Sequence, residues 1–238
     1  MTVSTDPSSV AAEADGDYIW YASYASNMCK ARFMCYIEGG QAEGMARACC
    51  GGRDKRPPVD SRWKHVPHEL IFGRSWSPTW GSGGVAFLDP IPHEGSTTLM
   101  RMYKITLQQF CDVLAQENRL IPGDSRFKVE WRHIDALKNG LTVPSNGTFD
   151  FLPGSWYGTI KYLGDEDGLP ILTITCSADD MKRYREHQLP VCAPSATYAH
   201  VIIKDPALKI FIVHGISKWQ KMASSLLWKK IKTMLWEV

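Results

Sequence analysis

The chain has 238 residues, 44% hydrophobic and 22% charged, with a formal net charge of +2. That size and balance suit one sizeable folded domain, and so small a charge gives no basis for a nucleic-acid partner. No uninterrupted apolar run reaches the ~18 residues needed to span a bilayer, and the acidic, small-residue start lacks the basic and apolar parts of a secretory signal, so a cytosolic protein is expected.

Residues 1–16 are rich in Ser, Ala and Asp without hydrophobic periodicity and are expected to form a disordered leader. The aromatic, β-prone run from Tyr18 to Tyr24 predicts a buried strand, broken at Ala25-Ser26-Asn27. Asn27 then predicts the N-cap of a helix from Met28 to Ile37, which would aim backbone N–H groups at whatever sits above the loop. Residues 39–65 are rich in Gly, Arg and Pro and lack a period, so a long loop or insertion is expected. Strands are expected at 68–72, at 85–90 and at 100–105. Thr106 predicts the cap of a helix from Leu107 to about Asn118, with Phe110, Val113 and Leu114 on one stripe.

The stretch 119–155 yields no placed element. Strands are predicted at 156–162 and 170–176, separated by an acidic Gly-containing turn at 164–168 whose carboxylates should be solvated. Asp179-Asp180 reads as a helix cap, and Pro194-Ser195 opens a helix carrying Tyr198 and Ile202 on one side. These elements predict an α+β fold over residues 17–216, with a mixed or antiparallel sheet, or a small barrel, and helices at its edges. Residues 217–238 predict a basic amphipathic helix, either docked on its own domain or contacting a membrane surface or a protein partner.

The seven cysteines are odd in number and show no CxxC spacing. They are expected to be reduced and to pack as small apolar residues, with no metal site. HExxH, GxSxG and P-loop patterns are absent, which argues against a metalloprotease, an α/β-hydrolase and an NTPase.

Four separated stretches together resemble the γ-glutamyl cyclotransferases. Tyr24-Ala25-Ser26-Asn27-Met28 is similar to the family's Tyr-Gly-Ser-Asn signature after the first strand, and Thr79 to Ala86 to its aromatic, glycine-rich entry to a sheet strand. Leu114 to Asn118 stands where the family's helix ends in its catalytic Glu, and Pro194-Ser195-Ala196-Thr197-Tyr198 resembles a Pro-Ser-x-x-Tyr stretch that brings a tyrosine to the pocket. The leader, residues 39–65 and the C-terminal helix lie outside the resemblance. The signature glycine is Ala25 here, and alanine costs about 1 kcal/mol or more if the loop needs a left-handed backbone.

The resemblance implies a cofactor-free enzyme on a small-molecule substrate. In that reaction a free α-amine attacks the γ-carbonyl of its own glutamyl unit, 5-oxoproline forms and the attached amine leaves. Glu117 is then the carboxyl group that relays the proton. Tyr24, Ala25, Ser26, Asn27, Met28 and Tyr198 form the substrate site, with the 24–28 loop offering N–H groups to an oxyanion or carboxylate. Trp80 is read as a buried aromatic and left out of the site. Two other readings keep the fold: Glu117-driven cyclisation or rearrangement of a different metabolite, and a binding or membrane-peripheral protein without catalysis.

Overall fold

A computed structural model describes residues 18–141 and 147–203, so the expected leader and C-terminal helix lie outside the described residues. Strand β1 (Tyr18–Ser23) leads through a 3-10 turn (Ala25–Met28) into helix α1 (Lys30–Glu38). Then come β2 (Asp60–Val66), β3 (His68–Gly73), the short β4 (Trp76–Ser77) and β5 (Gly81–Ser82), β6 (Val85–Pro92) and β7 (Thr98–Thr106). Helix α2 (Leu107–Glu117) and helix α3 (Trp131–Lys138) precede β8 (Thr148–Asp150), β9 (Thr159–Glu166) and β10 (Leu169–Thr175). Helices α4 (Ala178–Arg185) and α5 (Ala196–Ile203) end the described chain.

The main sheet has six strands in the order β2-β7-β1-β10-β9-β8, with β1 and β10 parallel and every other neighbouring pair antiparallel. It is therefore a mixed sheet, and it is open, with β2 and β8 at its edges, which removes the barrel alternative. β3 pairs with β6 in a separate ribbon, and β4 with β5 in a small hairpin. The protein is α+β.

Side-chain alternation along the central strands creates two cores. Ile19 and Tyr21 of β1, Tyr103 and Ile105 of β7, and Leu172 and Ile174 of β10 face one side, where Phe33 of α1, Phe110 and Leu114 of α2 and Ile134 of α3 cover them. Trp20, Ala22, Met100, Met102 and Ile171 face the other side, against Phe72 and Leu88 of the ribbon and Tyr198 and Ile202 of α5. Burial on both faces explains why these strands read as almost continuous apolar runs. A third cluster joins Val85 and Phe87 on the far face of β6 to Met181 and Tyr184 of α4.

Several elements differ from expectation. Residues 60–65, expected within a loop, form together with Val66 an edge strand on β7, running from Asp60 opposite Lys104 to Val66 opposite Thr98. The 119–155 stretch contains α3, whose Ile134 and Leu137 point to the core. Strand β9 starts at Thr159 and extends to Glu166, so the turn closes over Asp167 and Gly168 alone, both at positive φ as a tight hairpin requires. The carboxylates around it are partly exposed and ion-paired: Asp165 with Lys138, Glu166 with Lys64 and Asp167 with Arg62. Ser177, not an aspartate, caps α4, while Asp179 and Asp180 occupy its first turn. The seven cysteines are free thiols. Among the described residues no helix is long and apolar enough to cross a membrane.

His68 supplies a pH test of this packing. Its buried ring lies with Nδ1 2.7 Å from the Asp89 carbonyl oxygen, and burial holds the imidazole below its ordinary 6.5. The folded protein thus keeps His68 neutral while the unfolded chain takes up a proton near 6.5. Stability from this group is complete above that pH and falls as the pH drops below it. The urea midpoint should fall more between pH 7.5 and pH 5.5 in the wild type than in His68→Gln; parallel changes in the two proteins would refute this.

Candidate active site

Because β1 and β10 are parallel, both strands end at the same rim of the sheet. The Tyr24 hydroxyl donates to the Ile174 carbonyl oxygen across that rim at 2.7 Å. The chain then turns sharply, and Ala25 has φ +55°. The left-handed geometry that the motif glycine would favour is therefore adopted here by an alanine.

Asn27 does not cap α1. Cys29 occupies that position, and no side chain caps the helix. The Asn27 amide is drawn away instead: Nδ2 donates to Glu117 Oε1 at 2.8 Å and makes a longer contact, 3.4 Å, to the Tyr21 hydroxyl. A carboxylate can only accept, so the amide must face it with its nitrogen. That leaves Asn27 Oδ1 buried and without a partner.

Helix α2 carries Glu117 to this point. Thr106 and Gln109 form a capping box at its start, and its apolar stripe seats against the sheet. Glu117 closes its last turn and is partly buried. The next residue fixes the helix end, because Asn118 Nδ2 donates to the Leu114 carbonyl at 2.8 Å and to the Tyr157 carbonyl at 2.9 Å.

Around Glu117 lies a cavity of about 110 Å³. It is small beside the roughly 300–1,000 Å³ of typical drug-sized ligand sites and suits one amino-acid-sized unit. Tyrosines dominate its wall. Burial, with a contribution from the Glu117 charge, raises Tyr21 and Tyr157, and burial pushes Tyr198 up to about 12. These phenols therefore stay protonated at neutral pH and remain O–H donors. A second cavity of about 590 Å³, beside Cys111 and Trp131, is larger. Its charged side chains are already ion-paired, Arg53 with Asp112, Asp54 with Arg56, Asp124 with Arg126 and Lys128 with Glu130, so the smaller cavity holds the better chemistry.

Of the residues singled out from the sequence, Tyr24, Ser26, Asn27, Glu117 and Tyr198 all line the small cavity. Ala25 and Met28 do not; their side chains pack behind it in the core with Trp20 and Phe72. Trp80, set aside as a buried aromatic, lines the cavity, as do Arg32, Tyr36, Trp156 and Tyr157. Arg32 had a legible signal: it is a charged residue one helical turn before Tyr36, beside Phe33 and Ile37 on the buried face of α1. Among the described residues no group of three His, Cys, Asp or Glu is placed to hold a metal ion.

The strained alanine yields a stability prediction. Ala25→Gly relieves about 1–2 kcal/mol of left-handed strain but loses about 0.8 kcal/mol of methyl burial and adds flexibility to the unfolded chain, so it should be near neutral. Ala22→Gly, equally buried but in extended β1, has no strain to relieve and should cost about 1.5 kcal/mol. Denaturant midpoints compare the two; equal losses would show that Ala25 carries no strain.

No protein-family model matches the chain. Among curated proteins it is similar to histone deacetylase 5 of Arabidopsis thaliana, 41% identical over 189 residues. That alignment covers 78% of this chain, which spans only 27% of the longer protein. Among solved structures it is similar to a gamma-glutamyl cyclotransferase, with a TM-score of 0.41 and 12% identity over 83% of this chain and 80% of the other.

Proposed function

We propose that the cavity at the end of β1 cyclises the glutamyl unit of a γ-glutamyl amine or peptide to 5-oxoproline and releases the amine. One observation carries this reading: the Asn27 amide nitrogen lies 2.8 Å from Glu117 Oε1, so the signature loop and the only carboxylate that the described residues bring to the cavity wall meet at one point.

The substrate's α-amine attacks its own γ-carbonyl carbon and a carbon–nitrogen bond forms. Glu117 takes the proton shed by the attacking nitrogen and returns it to the leaving nitrogen as the original amide bond breaks. Asn27 fixes the carboxylate through one oxygen and leaves the other for that transfer. The tetrahedral oxyanion is served by neutral phenolic donors, Tyr21 and Tyr198, together with the backbone N–H groups of Ala25 and Ser26, which precede the first hydrogen bond of the 3-10 turn. Nucleophile and electrophile belong to one molecule, so holding it folded supplies much of the acceleration, and the chemistry requires no cofactor.

The test is 5-oxoproline release from a panel of γ-glutamyl amines and dipeptides. Glu117→Gln should lower the rate by about 10²–10⁴-fold with the melting temperature largely kept. Product formed equally well by Glu117→Gln, or formed from no member of the panel, would overturn the reading. Turnover of another compound that still requires Glu117 would move the chemistry to a different cyclisation or rearrangement.

A further inference from the structure

Arg32 is 3% exposed, yet no carboxylate of the described residues lies within ion-pair distance of it. Its Nη2 donates to the Tyr36 hydroxyl at 2.6 Å and its Nη1 contacts Cys49 Sγ at 3.6 Å, both neutral acceptors, while Nε has no partner. The guanidinium lies 4.2 Å from the Tyr36 ring centroid and 5.9 Å from that of Trp80, and all three side chains line the small cavity. An arginine cannot shed its charge, and an ion held this deep without a counter-ion is costly. Glu117 acts on it only across the cavity, by its longer-range charge.

We propose that Arg32 is a substrate-specificity residue that binds a carboxylate of the ligand, namely the α-carboxylate of the glutamyl unit. This rests on the reading of the site given above. The α-amine and the α-carboxylate share one carbon, so the group that takes the amine's proton and the group that holds the carboxylate must face the same small space. Glu117 and Arg32 do so. Arg32 makes no proton transfer; it orients the substrate and completes its own charge pairing when the substrate enters. The protein should therefore reject γ-glutamyl compounds whose α-carboxylate is masked.

The experiment compares γ-glutamyl methylamide with its α-carboxamide as substrates for the wild type, Arg32→Lys and Arg32→Gln. It also compares binding of L-5-oxoproline and L-5-oxoprolinamide to the wild type and to Arg32→Gln by calorimetry. The wild type should prefer each free acid by about 10- to 100-fold, the range of a charge-assisted hydrogen bond. Arg32→Gln should raise KM for the acid and bring the preference close to one. Arg32→Lys should keep part of it, since it retains the charge and loses the fork.

A wild type indifferent to the carboxylate overturns the proposal even if Arg32→Gln does not fold, and so does a preference that survives in Arg32→Gln. If 5-oxoproline is released but Arg32→Gln keeps the preference, the anchor fails and the cyclisation stands. If no γ-glutamyl compound turns over yet the wild type binds L-5-oxoproline, in preference to its amide, through Arg32, the cyclisation fails and the anion site stands.

Discussion

The hydrogen bond from Asn27 to Glu117 joins two chain segments 90 residues apart, and the cavity exists because both ends of it are held. On one side the turn after β1 is fixed from beneath, where the Tyr103 hydroxyl donates to the carbonyls of Asn27 and Met28 and Arg101 Nη1 donates to that of Met28. On the other side α2 is clamped at its start by the Thr106–Gln109 box and at its end by Asn118. A carboxylate in the last turn of a helix meets the negative end of the helix dipole, so donation from Asn27 also offsets an unfavourable position. Loss of either anchor would leave Glu117 free to turn to water.

The outer side of α2 is as constrained as the cavity side. Buried Asp112 accepts from the Arg53 backbone N–H at 2.8 Å and pairs with its guanidinium at 2.9 Å. Gln109 Nε2 donates to the Arg56 carbonyl at 2.8 Å, and Gln116 bridges the Gly51 N–H and the Tyr36 carbonyl. The Gly- and Arg-rich segment after α1 is thus strapped across the helix that carries Glu117. It also lends Cys49 to the guanidinium of Arg32. A stretch that reads as an insertion is part of what positions the site.

The legible parts of the sequence are those whose local signal and tertiary role agree. β1, β7 and β10 are buried on both faces, so their apolar runs stand out, and α2 has both a capping box and a stripe. Where the two diverge, reading fails. β2 is an edge strand whose Asp60, Arg62, Lys64 and His65 face water or ion partners, so hydrophobic alternation is missing and β7 supplies the register. Asn27 has the residue type of a helix cap, but its amide is worth more to a partly buried carboxylate than to a backbone N–H that water can reach. Tyr24, Ser26, Asn27, Glu117 and Tyr198 could be named in advance because the motif resemblance marks them. Arg32 lies outside the motif resemblance, and its signal was its spacing alone, one turn before Tyr36 on the face of α1 that carries Phe33 and Ile37.

Ala25 shows how a departure from a motif can leave the front of a site unchanged. Its φ of +55° retains the backbone path that a glycine would take, while its methyl group points into the core behind the loop and lines none of the cavity. Strain of about 1–2 kcal/mol is set against methyl burial of similar size. The exchange is then felt in the balance of forces that hold the loop, and only weakly in what a ligand touches. A larger side chain has no such compensation, since Ala25 is 2% exposed among Trp20, Tyr24 and Phe72, and overpacking would add to the same backbone strain. The position should therefore tolerate the two smallest residues for opposite reasons, glycine for its freedom and alanine for its contact.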